Sequence, residues 1–246
     1  MRTKSAPIRS PIKRVLMVCD SGLTALALAL VIEEDRRFRI CGQTSDGSLA
    51  RELFARQQPA IVLLGLTTHR WDGISLIKDF RKNQRATAII VISPYEDVLL
   101  LRRAFRAGAR AYLADSDDAY EILTAIDEVS AGRLYVSSSM LQCLLRNVAI
   151  DAANSGKFEL NALSDRELQV FSLIGRGFGA SKLAMQLHLS VKTVETHQSH
   201  IKEKLGLGSA AELSEKASRW LAQAARRNLQ LGKKLARGPS RLRLQI

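Results

Sequence analysis

The sequence predicts an α/β domain built on a doubly wound, five-stranded parallel sheet, followed by a small all-α domain. Three observations support this prediction. Five short apolar runs alternate with helical segments through residue 135. The runs are apolar at every position, which is typical of parallel strands that helices cover on both faces. From Leu163 onward, only the helical spacing of apolar residues remains.

Each predicted strand is followed by a predicted helix. The strands are Val15–Val18, Phe38–Cys41, Ala60–Leu64, Ala88–Ile92 and Ala111–Leu113. The helices are Thr24–Glu34, Ser48–Arg56, Ile74–Lys82, Val98–Ala107 and Ala119–Val129. Crossovers between parallel strands are right-handed, so helices cover both sheet faces and any chemistry lies at the carboxyl ends of the strands.

The C-terminal part is predicted to be a compact group of four short helices. A further helix over Ser137–Val148 and a polar linker over 151–157 precede it. Ser164 and Glu167 have the spacing of a capping box at the start of the first of the four helices. The other three are Ser181–Leu187, Val191–Leu205 and Ala210–Ala222. The short turn between the second and third of these helices is helix-turn-helix spacing, and Ser190 in that turn is a candidate cap for the third helix.

The helix over Val191–Leu205 has two different faces. Side chains at 3-4 spacing form the face expected to point inward: Val191, Val194, Gln198, Ile201 and Leu205. The opposite face carries short polar side chains that suit base edges in a DNA major groove, and nearby lysines are placed to neutralise phosphates. The candidate DNA-binding residues are Lys182, Lys192, Thr193, Glu195, Thr196, Ser199, His200, Lys202 and Lys204. An ordinary amphipathic helix with a solvated polar face fits the same pattern.

The segments Leu163–Phe178 and Ala184–Gly206 closely resemble the LuxR/NarL-type (FixJ-like) helix-turn-helix. The matching positions are Glu167, Gly177, Ala184, Leu187, Ser190, Val191, Thr193, Val194, His197, Ile201 and Lys204–Gly206. The resemblance implies that Ser181–Leu187 positions a recognition helix over Val191–Lys204. Glu195 stands where many relatives carry a base-reading cation, so we expect an unusual preferred DNA site.

Residues 14–135 resemble the receiver domain of two-component response regulators, a domain with the flavodoxin-like, doubly wound fold. Ser93 after the fourth strand and the pairs Gly108-Ala109 and Tyr112-Leu113 carry this resemblance. In that family, a carboxylate pair after the first strand binds Mg²⁺ and an Asp ending the third strand accepts a phosphoryl group. A Ser or Thr and a Lys then contact that group.

In this sequence the corresponding positions are Cys19 and Asp20, Gly65, Ser93 and Asp115. One carboxylate of the metal-binding pair is missing, Gly65 has no nucleophile, and Asp115 reverses the charge of the usual Lys. The resemblance therefore implies a degenerate, non-phosphorylatable pseudo-receiver. Phosphorylation elsewhere in the chain and an unrecognised ligand remain as alternatives.

The net charge of +13 comes almost entirely from the two ends of the chain. Residues 1–14 carry five basic residues and 222–246 carry seven, with no acidic residue in either segment. Basic tails of this kind usually contact polyanions, although solvated tails that aid solubility have the same composition. The three cysteines form no C-x-x-C pair, so the sequence predicts no metal and no disulfide framework. No apolar run is long enough for a membrane span.

These features predict five segments: a basic tail over 1–13, a receiver-like domain over 14–135, a helix and linker over 136–160, a LuxR-type domain over 161–221 and a basic tail over 222–246. We expect a cytoplasmic, non-enzymatic transcription regulator that needs no cofactor and acts without aspartyl phosphorylation. It would bind double-stranded DNA as a homodimer. The alternative is an inhibitor that pairs with another regulator through the receiver-like domain.

Overall fold

The computed structural model describes residues 12–19, 22–66, 73–93, 97–115, 117–151 and 159–235. Its sheet has six parallel strands in the order β2-β1-β3-β4-β5-β6. The strands are β1 Lys13–Val18, β2 Phe38–Thr44, β3 Ile61–Gly65, β4 Ala88–Ser93, β5 Ala111–Ala114 and β6 Tyr135–Val136. The predicted count of five was therefore wrong by one edge strand. At two residues, β6 is too short to stand out as an apolar run in the sequence.

Ten α-helices and one 3₁₀ helix lie in the described residues. The first six are α1 Gly22–Glu34, α2 Gly47–Gln57, α3 Gly73–Asn83, α4 Val98–Ala107, α5 Ala119–Ser130 and α6 Ser138–Asp151. After the 3₁₀ helix Glu159–Ala162 come α7 Asp165–Gly175, α8 Ala180–Leu187, α9 Val191–Leu205 and α10 Ala210–Leu235. None of the described helices is both long enough and apolar enough to cross a membrane.

Alternate strand residues point to opposite faces of the sheet, and each face has its own core. Leu16 and Leu64 pack with α2, α3 and α4 on one face. Met17 and Leu63 pack with α1 and α5 on the other. All four side chains are buried. Burial on both faces explains why these strands are apolar at every position, and it leaves only the strand ends open to other groups.

Strand β2 extends beyond its predicted end at Cys41 to Thr44. Its register with β1 shifts at this point, with Val15 opposite Ile40 and Leu16 opposite Gly42, so Cys41 is the extra residue of a bulge. The polar run that follows Cys41 resembles a turn in the sequence. It continues as a strand because β2 lies at the edge of the sheet. An edge strand forms backbone hydrogen bonds with a strand on one side only, here β1, and its polar side chains can face solvent.

The helical part is held together by close contact between α7 and α10. Phe171 of α7 lies 5.8 Å from Trp220 of α10, measured between ring centroids. Gly175, at the last turn of α7, allows the Ala217 carbonyl of α10 to approach its backbone. The predicted capping box at the start of α7 is confirmed, because the Glu167 amide donates to the Ser164 hydroxyl and the Ser164 amide donates to the Glu167 carboxylate.

The last helix is longer than expected. Its predicted end was Ala222, but α10 runs for 26 residues to Leu235. The first part of the basic segment 222–246 therefore continues this helix. Lysine and arginine are good helix formers, so a basic composition does not mark the end of a helix.

The two parts of the chain meet at the first turn of α7. Asp165 accepts from Lys78 of α3 at 2.6 Å and from Arg103 of α4 at 2.8 Å. Arg103 also donates to the Leu160 carbonyl at 3.1 Å and to the Leu163 carbonyl at 2.5 Å. The Arg103 side chain is only 11% exposed, so these contacts fix the junction through a largely dehydrated guanidinium.

We expect the substitution Gly175→Ala to lower the free energy of unfolding by about 1–3 kcal/mol. A methyl group at this position would lie 2.6 Å from the Ala217 carbonyl oxygen, so α7 and α10 must separate. Urea unfolding of the full chain measures the loss. The control is Gly179→Ala, where the added carbon meets nothing within 4 Å. Equal losses in both variants would contradict the close-packing argument.

Candidate nucleic-acid interface

Helices α8 and α9 are joined by a turn whose backbone is fixed at both ends. His188 takes the left-handed conformation, with φ of 52°, and its amide closes the end of α8. Ser190 accepts from the Thr193 amide at 3.0 Å and so caps α9. This cap agrees with the sequence prediction. The turn is only three residues long, so α9 is held at a defined angle to α8.

The outward face of α9 is exposed along its length. Five of the predicted DNA-binding side chains lie on this surface, which we call the reading face: Lys192, Glu195, Thr196, Ser199 and His200. On the opposite face Val194, Ile201 and Leu205 are buried in the core. The predicted division of α9 into two faces is thus confirmed for these residues.

Val191 does not follow the predicted pattern. Its spacing predicts that it points inward, but its side chain is 41% exposed. Val191 is the first residue of α9, where a side chain on the inward side of the helix can still project beyond the end of the neighbouring helix. Gln198, which was also predicted to point inward, is only half-buried.

The hydroxyl groups of α9 already make local hydrogen bonds. Thr196 donates to the Lys192 carbonyl at 2.9 Å, and the hydroxyls of Thr193 and Ser190 lie 2.8 Å apart. While Thr196 donates its hydroxyl proton to Lys192, its oxygen can only accept a hydrogen bond from a DNA base. The methyl group of Thr196 is free to contact thymine. Glu195 can accept from the cytosine amino group.

Two of the predicted phosphate contacts lie beside the reading face. Lys182 of α8 is exposed and its ammonium sits 4.1 Å from the centroid of the Phe178 ring, a cation–π contact that limits where the chain can point. Lys202 is half-buried. Met185, one turn after Lys182, is 72% exposed.

Lys204 has a partner within the chain. Its ammonium lies 2.9 Å and 2.7 Å from the two oxygens of the buried Glu167 carboxylate. This pair joins the end of α9 to the start of α7, so Lys204 stabilises the fold, and its contact with DNA phosphate stays a prediction. Burial disfavours the ionised carboxylate, but hydrogen bonds from Lys204 and Ser164 outweigh it and hold the Glu167 pKa below its usual value.

The receiver-like positions meet at the carboxyl ends of adjacent strands. Cys19 follows β1, Gly65 ends β3, Ser93 ends β4 and Asp115 follows β5. A carbon added to Gly65 would lie 3.3 Å from the Cys19 Cβ atom. The Ser93 hydroxyl bonds to Tyr112, a fully buried phenol whose pKa is raised by that burial. Asp20 lies outside the described residues, and within those residues no cluster of His, Cys, Asp and Glu could hold a metal.

Comparison with known proteins separates the chain into the same two parts. The family model for bacterial regulatory proteins of the luxR family matches residues 161–217, and the model for the response regulator receiver domain matches 15–127. The oxygen regulatory protein NreC of Staphylococcus carnosus is 26% identical over 208 residues, covering 83% of this chain and 96% of that protein. The corresponding protein of Staphylococcus aureus strain RF122 / ET3-1 is 28% identical over 210 residues, with the same coverage.

Solved structures have the same fold. RcsB of Salmonella enterica serovar Typhimurium, solved bound to a promoter, superposes with a TM-score of 0.62 at 18% identity, covering 85% of this chain and 99% of that one. A LuxR-family two-component response regulator from Aurantimonas sp. SI85-9A1 has a TM-score of 0.53 at 25% identity, covering 57% of this chain and 99% of that one.

We expect Lys204→Met to lower the free energy of unfolding at pH 7 by about 1 kcal/mol. The loss is no larger because the Lys204 ammonium is partly exposed and solvent screens its charge. The folded pKa of Glu167 is depressed, so its stabilisation is present above the unfolded value near 4.5 and is lost as the pH falls through the folded pKa. The difference from the unsubstituted chain should therefore shrink below about pH 4.

Unfolding in urea between pH 3 and pH 8 measures this difference. Lys192→Met is the matched control, because Lys192 is an exposed lysine of the same helix. A pH-independent loss, or an equal loss in the two variants at pH 7, would show that the contact between Lys204 and Glu167 does not stabilise the fold.

Proposed function

We propose that this chain, which matches the receiver-domain model over 15–127 and the luxR-family model over 161–217, is a LuxR-type response regulator that controls transcription by binding specific DNA sequences. Both family models describe a regulator of this kind and not an enzyme. The observation that carries the proposal is the reading face of α9, which is exposed and polar while the other side of the same helix is buried. A helix of this kind, presented by a short turn, can enter a major groove.

Each residue of the reading face has a proposed role. Glu195 and Thr196 contact base edges, and Ser199, one turn further along α9, contacts a neighbouring base. Lys192 and His200 lie on the same surface and contact phosphate, with Lys182, Thr193 and Lys202 beside them. Promoter complexes of the structurally similar RcsB support this assignment by fold, since that protein is bound to DNA in its solved structures.

We also propose that the protein acts as a homodimer on paired half-sites about one helical turn apart. A single α9 reads too few bases to select one site in a genome, and a two-fold arrangement doubles the contacts. The exposed reading face favours DNA binding over the alternative of an inhibitor that only pairs with another regulator. A regulator of this kind would act in the cytoplasm, where the bacterial chromosome lies.

The control of this protein is proposed to be independent of aspartyl phosphorylation. Gly65 offers no carboxylate at the end of β3, and Cys19 packs against it at the position of an acidic residue in the family. The one hydroxyl retained there, Ser93, is buried and bonded to Tyr112. Asp115 would repel a phosphoryl anion at the position where the family carries a lysine.

We expect Glu195→Ala to change which base is preferred at one position of the site, by about 1–3 kcal/mol of discrimination, because a base contact carries sequence information. A selection from a random DNA library, followed by fluorescence anisotropy on the selected sites, measures the preference. Glu34→Ala, which removes an exposed glutamate of α1, is the charge-matched control and should leave the preference unchanged.

We expect Lys192→Gln to weaken binding to all sequences to a similar degree and to reduce the slope of log K against log salt by about one. Anisotropy titrations between about 50 and 300 mM salt measure the slope. Failure of the unsubstituted protein to bind any selected site in a salt-dependent way would overturn the proposal of DNA binding.

We expect beryllofluoride with Mg²⁺ to leave the unfolding temperature of the full chain unchanged. A bound ligand at a hundredfold excess over its Kd would stabilise the protein by about 2.7 kcal/mol, which is readily measured. Mg²⁺ alone is the control. A Mg²⁺-dependent rise in unfolding temperature with beryllofluoride would show that the receiver retains an acceptor carboxylate.

A further inference from the structure

A cavity of about 340 Å³ lies where the receiver meets the helical part, outside both the reading face and the carboxyl edge of the sheet. One wall comes from α3 and α4, and the other comes from the segment that leads into α7. Its volume is in the range of sites that take small molecules. The cavity plays no part in the function proposed above.

The walls of this cavity carry four cations and one carboxylate. The cations are Lys78, Arg102, Arg103 and Arg106, and the carboxylate is Asp165. Asp165 forms ion pairs with Lys78 and Arg103. Arg103 is the least exposed of the four cations. The cavity therefore has an excess of positive charge beside a guanidinium that is largely removed from water.

Arg102 and Arg106 have no carboxylate partner among the described residues. They lie four positions apart on α4, so their guanidinium groups share one side of the helix, where like charges repel each other. Both side chains are exposed, so solvent screens part of this repulsion. An anion placed between the two groups would offset the rest with charge-assisted hydrogen bonds.

We propose that this cavity binds a small phosphate-bearing molecule. Arg102 and Arg106 would hold its phosphate oxygens through the paired N–H donors of guanidinium, a geometry that suits phosphate. Lys78 adds positive charge from the neighbouring helix α3. Leu99 and Leu163 line the same cavity and offer an apolar surface to the remainder of the molecule, so a phosphorylated organic molecule fits better than free phosphate.

Binding of a ligand in this cavity would depend on how the two domains are arranged. Its walls belong to both, and the ion pairs of Asp165 with Lys78 and Arg103 form one side of it. A ligand that binds this arrangement more tightly than a separated one shifts the population toward it. This consequence for DNA binding rests on the proposed function, but the binding of the phosphate compound itself does not.

Isothermal titration calorimetry of the full chain with pyrophosphate tests the site at about 150 mM salt, where weak surface binding is screened. We expect saturable binding of one equivalent, weakened about tenfold or more in the double variant Arg102→Gln, Arg106→Gln. The control is Arg36→Gln, Arg39→Gln, which removes the same charge from exposed arginines near the start of β2 and should bind as the unsubstituted chain does.

The titration is then repeated with ADP and with citrate. Tighter binding of ADP than of pyrophosphate supports a phosphorylated organic ligand, whereas preference for citrate would show that the cavity selects carboxylates and would overturn the proposal. Absence of pyrophosphate and ADP binding, or equal weakening in the two double variants, would also overturn it. If neither compound binds but the α4 variant weakens DNA binding, these arginines serve the DNA backbone and the cavity is not a ligand site.

No DNA is present in the titrations. Their failure would therefore leave the proposal of DNA binding intact, and a failure of the DNA-binding experiments would leave the phosphate site intact.

Discussion

The first turn of α7 holds two carboxylates that face different neighbours, and the orientation of the helical part depends on both. Asp165 faces the receiver and pairs with Lys78 and Arg103. Glu167 faces inward and pairs with Lys204 at the end of α9. Negative charge is favourable at a helix N-terminus, where amides are unpaired, so this turn can keep both groups ionised. It joins the receiver to the helix that carries the reading face.

This arrangement places the reading face away from the domain junction. The receiver contacts the start of α7 and the 3₁₀ helix before it, whereas Lys192, Glu195 and Thr196 remain exposed. The structure therefore has its two domains in contact and its recognition helix accessible at the same time. A signal that acts at the junction would change the relative position of the domains rather than uncover α9.

The receiver fold does not depend on the groups at the carboxyl ends of its strands. The strands are buried on both faces because the core is built from residues such as Leu16 and Leu63, which lie away from that edge. The stability of the fold is thus separable from whatever chemistry the edge of the sheet carries. Separately from that edge, Arg102 and Arg106 of α4 line a cavity large enough for a small molecule.

Sequence patterns were enough to predict the alternation of strands and helices, the two faces of α9 apart from Val191 and Gln198, and the capping residues Ser164 and Ser190. These features depend on the spacing of residues that are near neighbours in the chain. The folded arrangement was needed to show that β6 joins the sheet, that Lys204 bonds to Glu167, and that Arg103 reaches Asp165. These contacts join residues far apart in the chain, and a lysine or arginine has the same local pattern whether it meets phosphate, solvent or a distant carboxylate.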